Sequence, residues 1–120
     1  MPKVPWTNFI AARSTSYLVA AVAPNARGRP VREQLGLLVA LLGKLKLANA
    51  YAATIDPQGQ KEVHIAFEEE AEARRFAEVV QAQPAAPRDP WARQWVFHMN
   101  EVTSEAIRAA MMTGGEIDER

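Results

Sequence analysis

Three arginines at the threshold of a long apolar run form the densest concentration of chemistry in this 120-residue sequence. They are Arg27, Arg29 and Arg32, with Gly28 among them. Guanidinium groups beside a helix start would join the free backbone N–H groups and the positive dipole end in holding an anion. The spacing fits neither a P-loop nor the dinucleotide fingerprint G-x-G-x-x-G. Arg27, Gly28, Arg29 and Arg32 therefore stand as a candidate site for phosphate or a nucleic-acid backbone, set against the plainer reading of solvated arginines paired with acids such as Glu33. The two histidines, His64 and His98, invite a catalytic or metal-ligating reading. On strands that flank a common neighbour they would stand two strand spacings apart, roughly 9–10 Å. A shared metal needs both nitrogens about 2 Å from one ion, so no metal and no cofactor is expected. Ser14, Ser16 and Ser104 have no histidine close in sequence. No catalytic set emerges, and the reading leans away from an enzyme.

These residues have to be positioned by a small fold. The chain is 48% hydrophobic and 23% charged, ordinary values for a globular domain, and its length suits one domain with its own core. It has no cysteine, which excludes a disulfide scaffold, a thiolate zinc site and a thiol nucleophile. A reducing compartment, the cytoplasm, is the expected location. The uncharged run from Gln34 to Gly43 is about half the length of a membrane span, and the apolar run Tyr17 to Ala23 reads as a strand rather than a signal peptide. Net charge is zero but unevenly spread. Residues 1–61 carry eight Lys/Arg against two acids, and residues 62–120 carry six against twelve, giving +6 and −6. Such asymmetry fits a head-to-tail contact, or halves that intermix on folding.

Along the chain, residues 1–15 form an apolar lead-in with Val4, Trp6, Phe9 and Ile10, residues 16–113 a single domain, and residues 114–120 a flexible tail. Tyr17 to Val22 is a buried strand. Pro30 suits a helix start, and Val31, Leu35, Leu38, Leu42 and Leu45 recur at helical spacing. Ala50 to Ile55 and Lys61 to Phe67 are strands joined by the turn signal Asp56-Pro57-Gln58-Gly59. Glu68-Glu69-Glu70 opens a helix, where acidic side chains suit the positive dipole end. Pro84, Pro87 and Pro90 mark a rigid linker, Gln94 to Met99 is a fourth strand, and a last helix runs from about Thr103 to Met112 before Gly114-Gly115. The order is β-α-β-β-α-β plus a C-terminal helix. That predicts an α+β fold of the ferredoxin-like type: an antiparallel sheet in strand order 4-1-3-2, two helices on one face, and the additional C-terminal helix.

Alternation predicts that Val63, Ile65, Phe67, Trp95, Phe97 and Met99 face the helices. Ala52, Thr54, His64, Val96 and His98 then share the opposite face, whose small side chains predict a cover, either the C-terminal helix or a second subunit. The first long helix carries no charge between Glu33 and Lys44, and Gly36, Ala40 and Gly43 share its narrow non-leucine arc, as a closely packed partner helix would require. The candidate interface residues are thus Gly36, Ala40, Gly43, Ala52, Thr54, His64, Val96 and His98.

The stretch Gln60-Lys61-Glu62-Val63-His64-Ile65-Ala66-Phe67 falls where the central octamer of RNA-recognition motif domains would fall. Its closing Ile65-Ala66-Phe67 and the acidic helix start after it resemble that family. The resemblance covers this octamer alone. It implies bases stacked on the sheet, at positions held here by Glu62 and His64.

The function expected is a non-enzymatic binding or regulatory module that forms a homo-oligomer or binds a protein partner, with no membrane association. One alternative is a dimeric α/β-barrel-type enzyme whose paired sheets enclose a pocket near His64, His98 or Trp95. The other is binding of phosphate or nucleic acid by the Arg27–Arg32 loop, with nucleic acid the weaker partner expectation.

Overall fold

The computed structural model describes residues 3–12, 16–22, 29–55, 62–88, 91–99 and 105–112, with backbone alone for residues 29–32. In chain order the elements are α1 (Trp6–Ala12), β1 (Tyr17–Val22), α2 (Arg29–Leu45), β2 (Tyr51–Ile55), β3 (Glu62–Phe67), α3 (Glu70–Val79), β4 (Gln83–Ala85) and β5 (Arg93–His98). A last helix, α4, spans residues 105–112. The fold is α+β, and the described residues form four helices and one five-stranded mixed sheet in the order β2-β3-β1-β5-β4.

β1 lies at the centre because it is apolar on both faces. It pairs antiparallel with β3, Val19 opposite Ile65, and parallel with β5, Val19 opposite Trp95. Four of its six residues are buried, as expected of a strand covered above and below. β2 closes one side as the antiparallel partner of β3, with Ala53 opposite Ile65.

The expected four-stranded antiparallel sheet is corrected in two ways. The β1–β5 pair is parallel, since α3 leads from β3 to β4 and the antiparallel β4–β5 pair then reverses the chain before it runs beside β1. A fifth strand, β4, pairs antiparallel with β5 through Gln83↔Val96 and Ala85↔Gln94, in the segment expected to be a linker. Pro84 is tolerated there because β4 is an edge strand, with one side free of any ladder.

One layer of core fills the space between the sheet and α2, α3 and α4. Val19, Val63, Ile65, Phe67 and Phe97 project into it and meet Leu38, Leu41 and Leu42 of α2, Phe76 of α3 and Ile107 of α4. Its aromatic spine runs Tyr51–Phe67–Phe76–Phe97, with ring centroids 6.4, 5.6 and 6.4 Å apart, within the range of favourable ring pairs. After α2, Lys46 takes a left-handed conformation (φ 53°) that turns the chain sharply. The following backbone N–H groups of Ala48 and Asn49 donate to the Glu72 carboxylate at 2.7 and 3.2 Å. That contact ties the exit of α2 to the first turn of α3.

A second, smaller cluster lies on the opposite face: Phe9, Ala52 and Ala66, flanked by Val4, Trp6, Ala50 and Trp91. α1 is therefore what lies on this face, anchored at its start by Val4 N–H donating to Tyr51 O at 2.9 Å. α4 does not cover it, because α4 sends Ile107 into the other layer. Among the described residues no helix is long and apolar enough to cross a membrane.

Candidate functional site

The sheet face beneath α1 is small by composition, and that smallness admits the bulk of α1. Ala52 and Ala66 leave room for the Phe9 ring, which is wholly buried between them. Trp6 stands over the next row of the sheet, its ring centroid 6.5 Å from His64 and 6.1 Å from Trp91. His64 Nε2 lies 2.9 Å from Glu62 Oε1. A carboxylate can only accept, so the ring nitrogen carries the proton in this pair. Arg88 reaches the same oxygen at 3.9 Å. The dyad is thus a histidine oriented by a carboxylate, with an indole over it where the RNA-recognition resemblance would put a base. The Arg88 backbone N–H donates to Gln94 Oε1 at 3.3 Å, fixing the loop that carries Trp91.

The registers separate the two histidines. His64 lies opposite Ala20, which lies opposite Val96, whereas His98 lies opposite Val22 and so in the row of Glu62. Among the described residues no group of three or more His, Cys, Asp or Glu is placed to hold a metal ion. Of the interface candidates on this face, Ala52 is buried by α1, Thr54, His64 and Val96 are half-buried, and His98 is exposed.

The other interface candidates lie on the far side of the sheet. Gly36, Ala40 and Gly43 are exposed on the outer surface of α2, spaced four and three residues apart and hence on one stripe. Half-buried Leu37 and Val39 flank them, while Leu38, Leu41 and Leu42 anchor the inner side at 0% exposure. Among the described residues, a Cβ built at Gly36 or at Gly43 meets no atom within 4 Å beyond its chain neighbours and its own helix backbone. Packing among the described residues therefore does not require glycine at either position, and residues 105–112 of α4 do not fill the space beside them. The structure thus splits the interface candidates between two opposite surfaces.

Arg27 and Gly28 of the candidate anion site lie outside the described residues. So do the side chains of Arg29 and Arg32, whose backbones form the first turn of α2. The turn at 56–59, Ser14, Ser104 and the segment from 113 onward also lie outside them.

Two features escaped the sequence reading. One is the Trp6–His64–Glu62 cluster, which needs α1 folded back on the sheet. The other is a cleft of about 590 Å³ between α3 and the β4–β5 edge, with Arg74 and Arg93 at its mouth and Trp95 in its wall. The i,i+4 pair Glu70–Arg74 was legible from spacing. Its third member, Arg93, joins only through the tertiary fold, with Nε 3.1 Å from Glu70 Oε2.

Compared with known proteins, the chain matches no family model, no curated protein and no solved structure.

Proposed function

We propose that this chain is a non-enzymatic protein-interaction module that self-associates through the outer surface of α2. The observation that carries the reading is the exposed Gly36–Ala40–Gly43 stripe, with open space where each glycine side chain would be. An interior helical glycine costs roughly 1 kcal/mol relative to alanine. Two of them on an otherwise leucine-rich helix make physical sense if another backbone approaches there. Small residues let helix axes come nearer than the usual 8–10 Å or so, and the uncharged surface between Glu33 and Lys44 carries no desolvation cost for ionic groups. A second copy of the chain offers the same stripe, and a two-fold arrangement would lay α2 on α2.

The four longer strands share only the neighbour order of a ferredoxin-like unit, since β5 runs parallel to β1 where that unit has an antiparallel pair. Their neighbours run β5-β1-β3-β2, with β4 as an added edge. A cytoplasmic location goes with the lack of cysteine. The α/β-barrel-type enzyme is disfavoured because it needs the sheet face open to a second sheet, and α1 lies on that face with Phe9 fully buried.

The test is light scattering across micromolar concentrations on the wild type and on Gly36→Glu/Gly43→Glu. Neither substitution meets an atom of its own chain at Cβ, so the fold is retained. A dimeric or larger wild type with a monomeric variant is expected. A monomeric wild type throughout contradicts the proposal.

A further inference from the structure

We propose that the cleft between α3 and the β4–β5 edge binds a small carboxylic acid with an apolar body. Its residues are separate from the outer surface of α2, and the inference does not depend on self-association. The volume, about 590 Å³, falls in the range of small-molecule sites. Most of the wall is apolar: Ala77 from α3, Pro84 and Pro87 from the edge, and Trp95 from β5. Trp95 is 6% exposed, so its indole is held in place by the core before any ligand arrives. A rigid aromatic surface with the Pro84 ring beside it, in cross-strand register with Trp95, gives an apolar ligand contact at little entropic cost.

The charges give the cleft a direction. Arg74 and Arg93, with 55% and 60% of their side chains exposed, converge on one oxygen of Glu70. Arg93 Nε lies 3.1 Å from Glu70 Oε2, and Arg74 Nη2 bonds the same atom. Two guanidinium groups already gathered around one carboxylate oxygen keep further N–H donors for a second acceptor, since each carries five. A carboxylate matches that fork in shape and charge. Glu78 stands one helical turn beyond Arg74 in the same wall, about 6 Å along the axis. Its charge repels an anion at that end. The ligand carboxylate is therefore placed at the Arg74–Arg93 end, with the apolar body along Trp95.

The experiment is an NMR titration of the full chain with phenylacetate, following the backbone amides and the tryptophan indole N–H groups. 2-Phenylethanol serves as the uncharged counterpart. Trp6 and Trp91 belong to the cluster on the opposite face of the sheet and report any general effect. Saturable shifts are expected at Trp95, Ala77 and Ala92, with Trp6 and Trp91 unmoved. Arg74→Gln and Arg93→Gln should each weaken binding about tenfold, the scale of one charge-assisted hydrogen bond. 2-Phenylethanol should bind more weakly by at least that factor, and Glu78→Gln should tighten phenylacetate binding. No saturable shift at Trp95, equal binding of the alcohol, or an affinity unchanged in both arginine variants overturns the proposal.

Discussion

The Tyr51 phenol sits at 5% exposure at the edge of the main core, and burial raises its pKa above the ordinary 10.0 by disfavouring the phenolate. The folded state therefore holds the Tyr51 proton to higher pH than the unfolded chain does. Where the folded form binds more protons, stability falls as pH rises. The stability linked to this group is complete below the unfolded pKa and is lost as pH climbs through the raised folded value. Denaturant melts from neutral pH into the alkaline range should show that loss in the wild type, and Tyr51→Phe should flatten it. An identical alkaline slope in both proteins would mean that the phenol titrates alike in the two states. At this scale the sequence was legible where a residue's role follows from its own strand. Val63, Ile65 and Phe67 point inward as their alternation requires, and Val63 and Ile65 lie in register with Ala21 and Val19 of the central strand. It was not legible where the role depends on a distant partner. The contacts of Arg93 with Glu70 and of Glu72 with the exit of α2 join positions 23 and 24 residues apart, from Arg93 back to Glu70 and from Glu72 back to Ala48, and no periodicity links such positions.

The elements differ in how strongly sequence marks them. α2 declares itself by its leucine spacing, and its inner residues Leu38, Leu41 and Leu42 are wholly buried. β4 has three residues with a proline at the centre, too short and too unlike a strand for any pattern. It exists because β5 offers it an edge. α1, at seven residues, is too short to hold as an isolated helix, and its place comes from burying Phe9 against Ala52 and Ala66. Phe9→Ala should accordingly cost roughly 3–5 kcal/mol, as for other fully buried phenylalanines. A loss below about 1 kcal/mol in urea melts, within the range of surface changes, would show that α1 does not hold this face in solution. At α2, Gly36→Ala and Gly43→Ala should each raise the stability of the isolated monomer by about 0.5–1 kcal/mol, since alanine suits an exposed helix interior and meets no neighbour. The same changes should weaken self-association by standing the helices apart. Parallel gains in both quantities would show that the glycines serve no close contact.

Among the described residues, strands of the two oppositely charged halves interleave in the sheet. β3, from the acidic half, lies between β2 and β1 of the basic half, and Glu72 reaches across to the exit of α2. The +6 and −6 halves are thus not two separate layers of the sheet. What remains unmatched is shape: α1 lies on one side of the sheet, and the other ends in a helix whose outer stripe is small and uncharged. The central claim is that two copies meet there. Since the sequence has no cysteine, Ala40→Cys installs a single thiol at the middle of the stripe, and a disulfide between copies requires Cα atoms closer than about 7 Å. The direct measurement is the rate of covalent dimer formation under mild oxidation at low protein concentration, with Arg75→Cys on the exposed side of α3 as the control. Rapid, near-complete crosslinking of Ala40→Cys and little of Arg75→Cys is the expected result. Slow crosslinking of both, or equal rates for the two, would contradict self-association through α2.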